Sequence, residues 1–433
     1  MADYLPQVRE QYEAFPYPQR DPEKEKSWLI TTWLDDLAMI NHHCFGGRQT
    51  FGGRFRVLVA GGGTGDATIF LAHQLRNTDA EIVHVDMSSA SIDIARQRAG
   101  IRNLDNIAWI NESLLSIPQL DLGRFDYINC IGVLHHLQDP DAGLRALLNV
   151  LKADGAMGIM VYGRYGRAGV YQMQSLLRLI NQHETTARGK LANARALLEV
   201  LPKTNWFKRG EDLIVDHLEG GDAGIVDVFL HACDCAYSAS EIHAWFEDQH
   251  GLHPRLTNSG RGRAVYEPAM VLGLRPPGFL QAVAKLPLRE QYEIAELAGG
   301  TLITHSFFAT RRAEAAAPYG DAAYVPFFHF DKTALQLLDM IERNQGRPLV
   351  VDHALSGVAM RVDPGPYAAW ILRHIDGEKS FGEIFALLRA AAEFRAAVPG
   401  DEELFRSFAP VYEFLSSLDR ILLRHRDVTP PAD

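Results

Sequence analysis

The sequence predicts an α/β protein: a doubly wound, mostly parallel sheet of seven strands, a helical cap insertion and a separate, mainly helical C-terminal domain. Three observations predict it. Short apolar runs alternate with helical segments at an even pace from Arg56 to Tyr162, the signature of parallel strands joined by crossover helices. A glycine-rich turn sits between the first run and the first helix. Composition, at 47% hydrophobic and 22% charged residues, is that of a water-exposed globular chain.

The elements follow in order. Residues up to about Gly53 form an aromatic- and proline-rich arm with a helical run near Lys26–Ile40. The run Arg56–Ala60 is continuously apolar, as a strand covered on both faces must be. Ala67–Arg76 reads as a helix, Glu81–Asp86 as the second strand and Ser89–Ala99 as the second helix. Ile107–Asn111 and Phe125–Ile131 are the third and fourth strands, a helix covers Asp141–Leu151, and Ala156–Tyr162 is the fifth strand. Residues 164–239 form a helical insertion, with its long helical region reaching Leu201. The sheet resumes over 240–314 with a helix at Ser240–Gln249, a strand near His253–Leu256 and a last strand at Thr304–Thr310. Insertions between late strands of such sheets sit above the strands' carboxyl ends, where ligands bind. Ala315–Pro318 reads as a linker to the domain over 319–433. No internal repeat is visible.

A chain of 433 residues is expected to hold two or three domains. Its formal charge of −11, from 43 basic and 54 acidic residues, disfavours nucleic acid as a partner. Basic residues do gather at Arg255, Arg261, Arg263 and Arg275; arginine on a loop is ordinarily solvated surface. No apolar run of about 20 residues is present, so no membrane span is expected. The polar, acidic N-terminus lacks the basic-then-apolar pattern of a secretory signal. Cys44, Cys130, Cys233 and Cys235 make no disulfide framework, and Cys233-Asp234-Cys235 lacks the spacing of a zinc or redox pair. Reduced thiols in a cytoplasmic protein are the expectation.

Gly61-Gly62-Gly63-Thr64-Gly65 lies directly between a strand and a helix. Missing side chains let the backbone turn tightly and approach a ligand, and the helix start offers free N–H groups. A dinucleotide fingerprint needs a third glycine where this chain has Asp66, whose charge also opposes a pyrophosphate. The better ligand is a nucleoside carrying an amino-acid tail. Asp86 ends the second strand, 21 residues past Gly65, where a carboxylate can accept from both ribose hydroxyls.

These segments carry a resemblance. VLVAGGGTG, IVHVDMS, INESLLSIP and FDYINCIGVLHHLQDPDAGLRALLNVLKADGAM resemble, in order and spacing, the successive motifs of class I, Rossmann-like S-adenosylmethionine-dependent methyltransferases. VLVAG, LHHLQDP and FLHACDCAYSASEIHAWFEDQHGL are further similar to methyltransferase domains fused to tetratricopeptide repeats. The resemblance implies S-adenosyl-L-methionine as cofactor, with Gly61, Gly63 and Gly65 against its methionine part and Asp86 on the ribose. It places Met87, Ser113 and Leu114 around the adenine, and Cys130 and Ile131 below the methyl group. Two positions depart from the family's pattern: Val59 stands where many relatives have an acidic residue, and Ser113 where they have Asp. QYEAFPYPQR is similar to an N-terminal lid, which puts Tyr12 and Tyr17 over the cofactor; aromatics that only anchor the arm on the sheet are the alternative.

On the acceptor side, His135 and His136 follow the fourth strand; either is a candidate general base, His135 foremost, and packing or helix capping is the alternative role. Asp227 and His231, four residues apart on a helical pattern, share one face, and Tyr162, Tyr165 and Tyr171 stand nearby in the insertion; of these Tyr165 is the catalytic candidate. No metal is expected, because no third ligand stands at a recognisable spacing. The expected reaction moves a methyl group by in-line displacement to a peptide or protein side chain or to a small molecule, releasing S-adenosylhomocysteine. A silent cofactor-binding regulator and a nicotinamide oxidoreductase are the alternatives, and a homodimer stays open. In the C-terminal domain, a helix through Tyr367–Ile375 stops at Asp376-Gly377, and Ser380 with Glu383 forms a capping box for the next. That pattern is similar to small winged helices; a helical packing domain is the alternative.

Overall fold

The computed structural model describes residues 6–273, 277–330, 332–353, 358–394 and 398–429. Contacts divide the chain into two units: residues 1–36, 51–242 and 300–306, and residues 37–50, 243–299 and 307–433.

The first unit is built on parallel strands. β1 (Arg56–Ala60) pairs with β2 (Glu81–Asp86) on one side and with β4 (Phe125–Ile131) on the other. β3 (Ile107–Asn111) flanks β2, and β5 (Leu151–Gly163) flanks β4. The short β6 (Ala236–Tyr237) runs parallel to the end of β5. Val57, Leu58, Val59 and Ala60 have no solvent exposure, which is why β1 is apolar at successive positions rather than alternating. The order β3-β2-β1-β4-β5 reverses direction between β1 and β4. The crevice at the carboxyl ends of those two strands is where such sheets bind ligands. β5 begins at Leu151 rather than at Ala156 as expected, with an irregular register opposite Phe125 and Tyr127.

β8 (Thr304–Thr310) and β7 (His253–Thr257) follow β5 in the strand order. The sheet therefore has eight strands, seven along its path with β6 beside β5.

The arm does not hold one helix over Lys26–Ile40. Instead there are 3-10 turns at Pro22–Lys26 and Trp33–Asp35 and a helix at Leu37–Cys44. Ile30, Thr31 and Thr32 break the run, as β-branched residues favour extended backbone. The insertion carries two long helices, Ala168–Ile180 and Ala187–Val200, and three shorter ones at Trp206–Arg209, Asp216–Glu219 and Gly221–Phe229. Val170, Met173, Leu177, Leu191, Phe207 and Phe229 close into a core of their own.

In the second unit, β9 (Tyr324–Phe328) pairs antiparallel with β12 (Ile421–His425), and β10 (Leu349–His353) with β11 (Val358–Val362). Helices Thr333–Arg343, Ala368–Arg373, Phe381–Ala390 and Asp401–Ser417 accompany these hairpins. Phe381, Phe385, Phe405 and Phe408 meet edge to face or tilted in the core. The Ser380–Glu383 capping box is formed as expected. Ala315–Pro318 is not a free linker: Gly46 N–H donates to Ala315 O and Ala317 N–H to His42 O, each at 2.7 Å. Residues 37–50 and 243–299 thus group with 307–433, a different division from the one the sequence suggested. Arg275 lies outside the described residues. No described helix is long and apolar enough to cross a membrane.

Candidate functional site

The turn after β1 needs glycine. Gly61, Gly63 and Gly65 have φ of 77°, 52° and 98°, the left-handed region that side chains disfavour. A Cβ on Gly61 would meet Val133 at 2.4 Å, and one on Gly63 would lie 2.8 Å from the Tyr17 carbonyl oxygen. Gly65 caps the helix Asp66–Gln74. The Gly63 N–H donates to Asp86 Oδ2 at 2.7 Å and the Ser88 N–H to Oδ1 at 2.8 Å. Burial pushes the Asp86 carboxyl up from its ordinary value, against the pull of those two amides. Asp86 and Met87 remain half-buried at the strand end.

The arm is fastened over this turn by polar contacts. Thr64 Oγ1 donates to Pro18 O at 2.8 Å, and Ser88 Oγ to Tyr12 O at 3.2 Å. Glu13 accepts from the Ser89 and Ala90 amides at the start of helix Ser89–Ile101, where a helix N-terminus favours an anion. Arg20 clasps Asp66 through Nε and Nη2. Arg98, 1% exposed, donates to Glu25 in the arm, to Asp66 and to the Thr64 carbonyl in the turn. Asp66 is therefore a neutralised charge, and the repulsion expected of it toward a pyrophosphate is cancelled by its two arginines.

A polar cluster lies beside the turn. From Gly132 the chain runs past Val133, which touches Gly61, into the 3-10 turn Leu134–His136. There His136 stacks on His231, ring centroids 3.8 Å apart. Tyr12 Oη lies 3.2 Å from Asp227 Oδ1 and 3.1 Å from His231 Nε2, and Tyr162 Oη lies 3.1 Å from Asp227 Oδ2.

The hydrogen bonds assign the protons. Cys233 N–H donates to His231 Nδ1 at 3.1 Å, so His231 carries its proton on Nε2 and donates to Tyr12. Tyr12 and Tyr162 then both donate to the Asp227 carboxylate. Cys233 O sits 3.0 Å from His136 Nδ1, and a carbonyl only accepts, so His136 keeps its lone pair on Nε2. Burial holds His136 down at about 4 and His231 at about 3, so both rings are neutral at pH 7.

Residues 58–157 match the family model described as methyltransferase domain. Over this segment the chain is similar to methyltransferase domains. An uncharacterized protein of Synechococcus sp. is 35% identical over 240 residues, covering 54% of this chain and 56% of that protein. The ubiquinone biosynthesis O-methyltransferase of Serratia proteamaculans is 27% identical over 137 residues, covering 31% of this chain and 56% of its own length. This chain spans between 54% and 56% of the length of the curated relatives it matches. Among solved structures, PKMT2 from Rickettsia typhi shares the fold, with a TM-score of 0.57 at 13% identity over 92% of this chain and 76% of that one.

Within residues 58–157, Gly61, Gly63, Gly65, Asp86 and Met87 meet at the carboxyl ends of β1 and β2. Cys130 is fully buried, its thiol pushed up to about 12 by burial, while Ile131 is half-buried at the end of β4. The Ser113 hydroxyl accepts from the Leu115 N–H at 3.2 Å as the cap of a 3-10 turn, and Leu114 is buried beneath it. Tyr12, Asp227 and His231 come together, and Tyr162 bonds the second carboxylate oxygen of Asp227. His135 is fully buried against Tyr162, at 3.9 Å between ring centroids, and among the described residues neither ring nitrogen has a partner. Such a ring packs, whereas His136, the other histidine of the pair, keeps an unprotonated Nε2. Arg167, missed by sequence reasoning, lies with its guanidinium 3.5 Å over the Tyr162 ring.

His136, Asp227 and His231 offer donor atoms within 4.8 Å of one another, so the fold supplies the third potential metal ligand that spacing alone did not show. The proton assignments nevertheless engage both ring nitrogens of His231 and both carboxylate oxygens of Asp227 in hydrogen bonds. Tyr12 bridges Asp227 and His231, and the Cys233 backbone links His231 to His136.

Proposed function

We propose that this chain is an S-adenosyl-L-methionine-dependent methyltransferase whose acceptor is a peptide or protein side chain or a small molecule. The observation that carries the reading is the bond from the Gly63 amide to the Asp86 carboxylate at the β1–β4 crevice, which joins the two recognition elements into one cradle. Gly61, Gly63 and Gly65 would lie against the methionine part, and Asp86 would hold the ribose. Met87 and Leu114 would flank the adenine. PKMT2 from Rickettsia typhi has been solved in complex with AdoHcy, which supports the same cofactor here. When bound, the cofactor supplies an activated methyl group for in-line displacement, leaving S-adenosylhomocysteine.

The chain's own residues then position the acceptor and take its proton. His136 Nε2, neutral and with a free lone pair, accepts that proton, while the Cys233 carbonyl holds the ring in the productive tautomer. Asp227, Tyr12, Tyr162 and His231 form a fixed polar wall for the acceptor. Closure of the arm through Arg20 and Arg98 excludes water, so alignment supplies much of the rate.

The test is calorimetry with S-adenosylhomocysteine and NADH, followed by measurement of methyl-donor consumption with a pool of peptides and small molecules. Tight S-adenosylhomocysteine binding with donor consumption is expected. Binding of NADH alone sinks the reading, and cofactor binding without consumption under any acceptor pool identifies a silent regulator.

A further inference from the structure

We propose that the second unit holds a separate binding site for a small organic carboxylate, with Arg255 as its claw. The site is a cavity of about 240 Å³, all of whose lining residues belong to that unit. One water needs only about 10–15 Å³ of such space, so the cavity has room for an organic molecule.

A relay of four residues aims the arginine. Thr257 Oγ1 donates to Asp419 Oδ2 at 2.6 Å, and Asp419 Oδ1 lies 3.2 Å from His43 Nε2. Arg255 Nε, which can only donate, lies 3.0 Å from His43 Nδ1. His43 therefore accepts at Nδ1 and donates from Nε2 to Asp419, whose carboxylate is held by Thr257. Phe308 stacks on the His43 ring, with centroids 5.2 Å apart and planes at 19°, and fixes its orientation. Fastened by Nε, the Arg255 guanidinium leaves its two terminal nitrogens outside the relay's hydrogen bonds. Among the described residues neither has a protein partner, and the residue is exposed where it lines the cavity. Asp419 bonds the far nitrogen of the imidazole and the Thr257 hydroxyl.

The remaining lining fits an organic acid. Arg263 adds a second guanidinium, already paired with Glu267, and no Asp or Glu lines the cavity. Leu256, Leu288 and Phe308 give it apolar wall. An oriented pair of N–H donors matches the two coplanar oxygens of a carboxylate, and the apolar wall takes the body of the molecule. An orienting relay behind a guanidinium whose terminal nitrogens meet no acidic partner is the arrangement of a ligand claw. Neither the glycine turn nor the His136 network takes part, so this site stands or falls independently of the methyl-transfer reading.

The experiment is calorimetric titration of the full chain with acetate, succinate and benzoate, and with benzamide and inorganic phosphate as controls. Saturable binding of at least one carboxylate is expected, with benzamide silent. Arg255→Gln is expected to weaken that binding at least tenfold, and Arg255→Lys, which keeps the charge but loses the fork, by an intermediate factor. Circular dichroism and the melting temperature of each variant verify folding, so that a loss of binding is read only in folded protein. Saturation by phosphate alone overturns the carboxylate assignment. Absence of saturable binding by any anion, or equal affinity in folded Arg255→Gln, overturns the site.

Discussion

The amide of Gly63 donates to the carboxylate of Asp86 across 2.7 Å, from the turn after β1 to the end of β2. The group expected to face the ribose is thus also the anchor that holds the glycine turn in shape. Asp86→Ala leaves two amides, of half-buried Gly63 and fully buried Ser88, without an acceptor. The expected cost is roughly 1–3 kcal/mol in stability per orphaned donor, with a parallel loss of cofactor affinity. Asp86→Asn keeps one acceptor oxygen and should fall between. Denaturant midpoints and S-adenosylhomocysteine calorimetry measure both effects, and unchanged affinity in a folded Asp86→Ala protein rejects the assignment.

Arg98 ties the arm to the turn by bonding Glu25, Asp66 and the Thr64 carbonyl from a position 1% exposed. Removing one partner of a buried ionic cluster costs about 3–5 kcal/mol, because the remaining charges stay buried. Arg98→Ala should lower stability by that order and expose the arm to limited proteolysis around residues 6–20. Cofactor product, if the arm is a lid, should protect the native chain and the variant unequally. An Arg98→Ala protein as stable and as protease-resistant as the native chain removes the arm from the mechanism.

Why some of this was legible in the sequence and some not follows from the length scale of each feature. β1, β2, β3 and β4 have the bounds that their apolar runs gave, since each is closed by glycine, aspartate or asparagine within the same few residues. The turn glycines and Asp86 were readable because backbone strain and strand ends are local. His135 and His136 are adjacent in one 3-10 turn, and no periodicity tells which ring faces the cluster. Only the Cys233 carbonyl, 97 residues away, decides it. Tyr162 and Tyr165 differ in the same way: one closes β5, the other lies beyond it, and Asp227 selects between them. The relay through Thr257, Asp419, His43 and Arg255 joins positions up to 376 residues apart and leaves no pattern along the chain.

Asp35 offers a pH prediction. Its carboxyl has no solvent exposure, accepts from Asn129 Nδ2 at 2.6 Å and from Thr32 Oγ1 at 2.7 Å, and is pushed up to about 7 chiefly by burial. A carboxyl raised in the folded state binds its proton more tightly there than when unfolded. Its contribution is complete below the ordinary aspartate range and is lost as pH rises toward 7. Asp35→Asn keeps the shape without the charge, so it should raise the melting temperature at pH 7 and change it little at pH 4. A variant whose advantage does not grow between those two pH values contradicts the burial of an ionisable group there.

The His136 assignment carries the sharpest consequence for turnover. Its Nδ1–H is fixed on the Cys233 carbonyl, and burial holds the ring down at about 4. As a base it must be neutral, so activity should persist well below the ordinary histidine range and fall only as pH drops through about 4. His136→Gln should lower kcat by roughly 10²–10⁴-fold with little change in KM, the range for a lost general base. His135→Phe, at a ring that only packs, should change kcat by far less. Once turnover identifies an acceptor, steady-state kinetics and a pH–rate profile decide between them. An acid limb at the ordinary histidine value, or a greater loss in the His135 variant than in the His136 one, returns the proton to another group and leaves the His136 ring a stacking partner of His231.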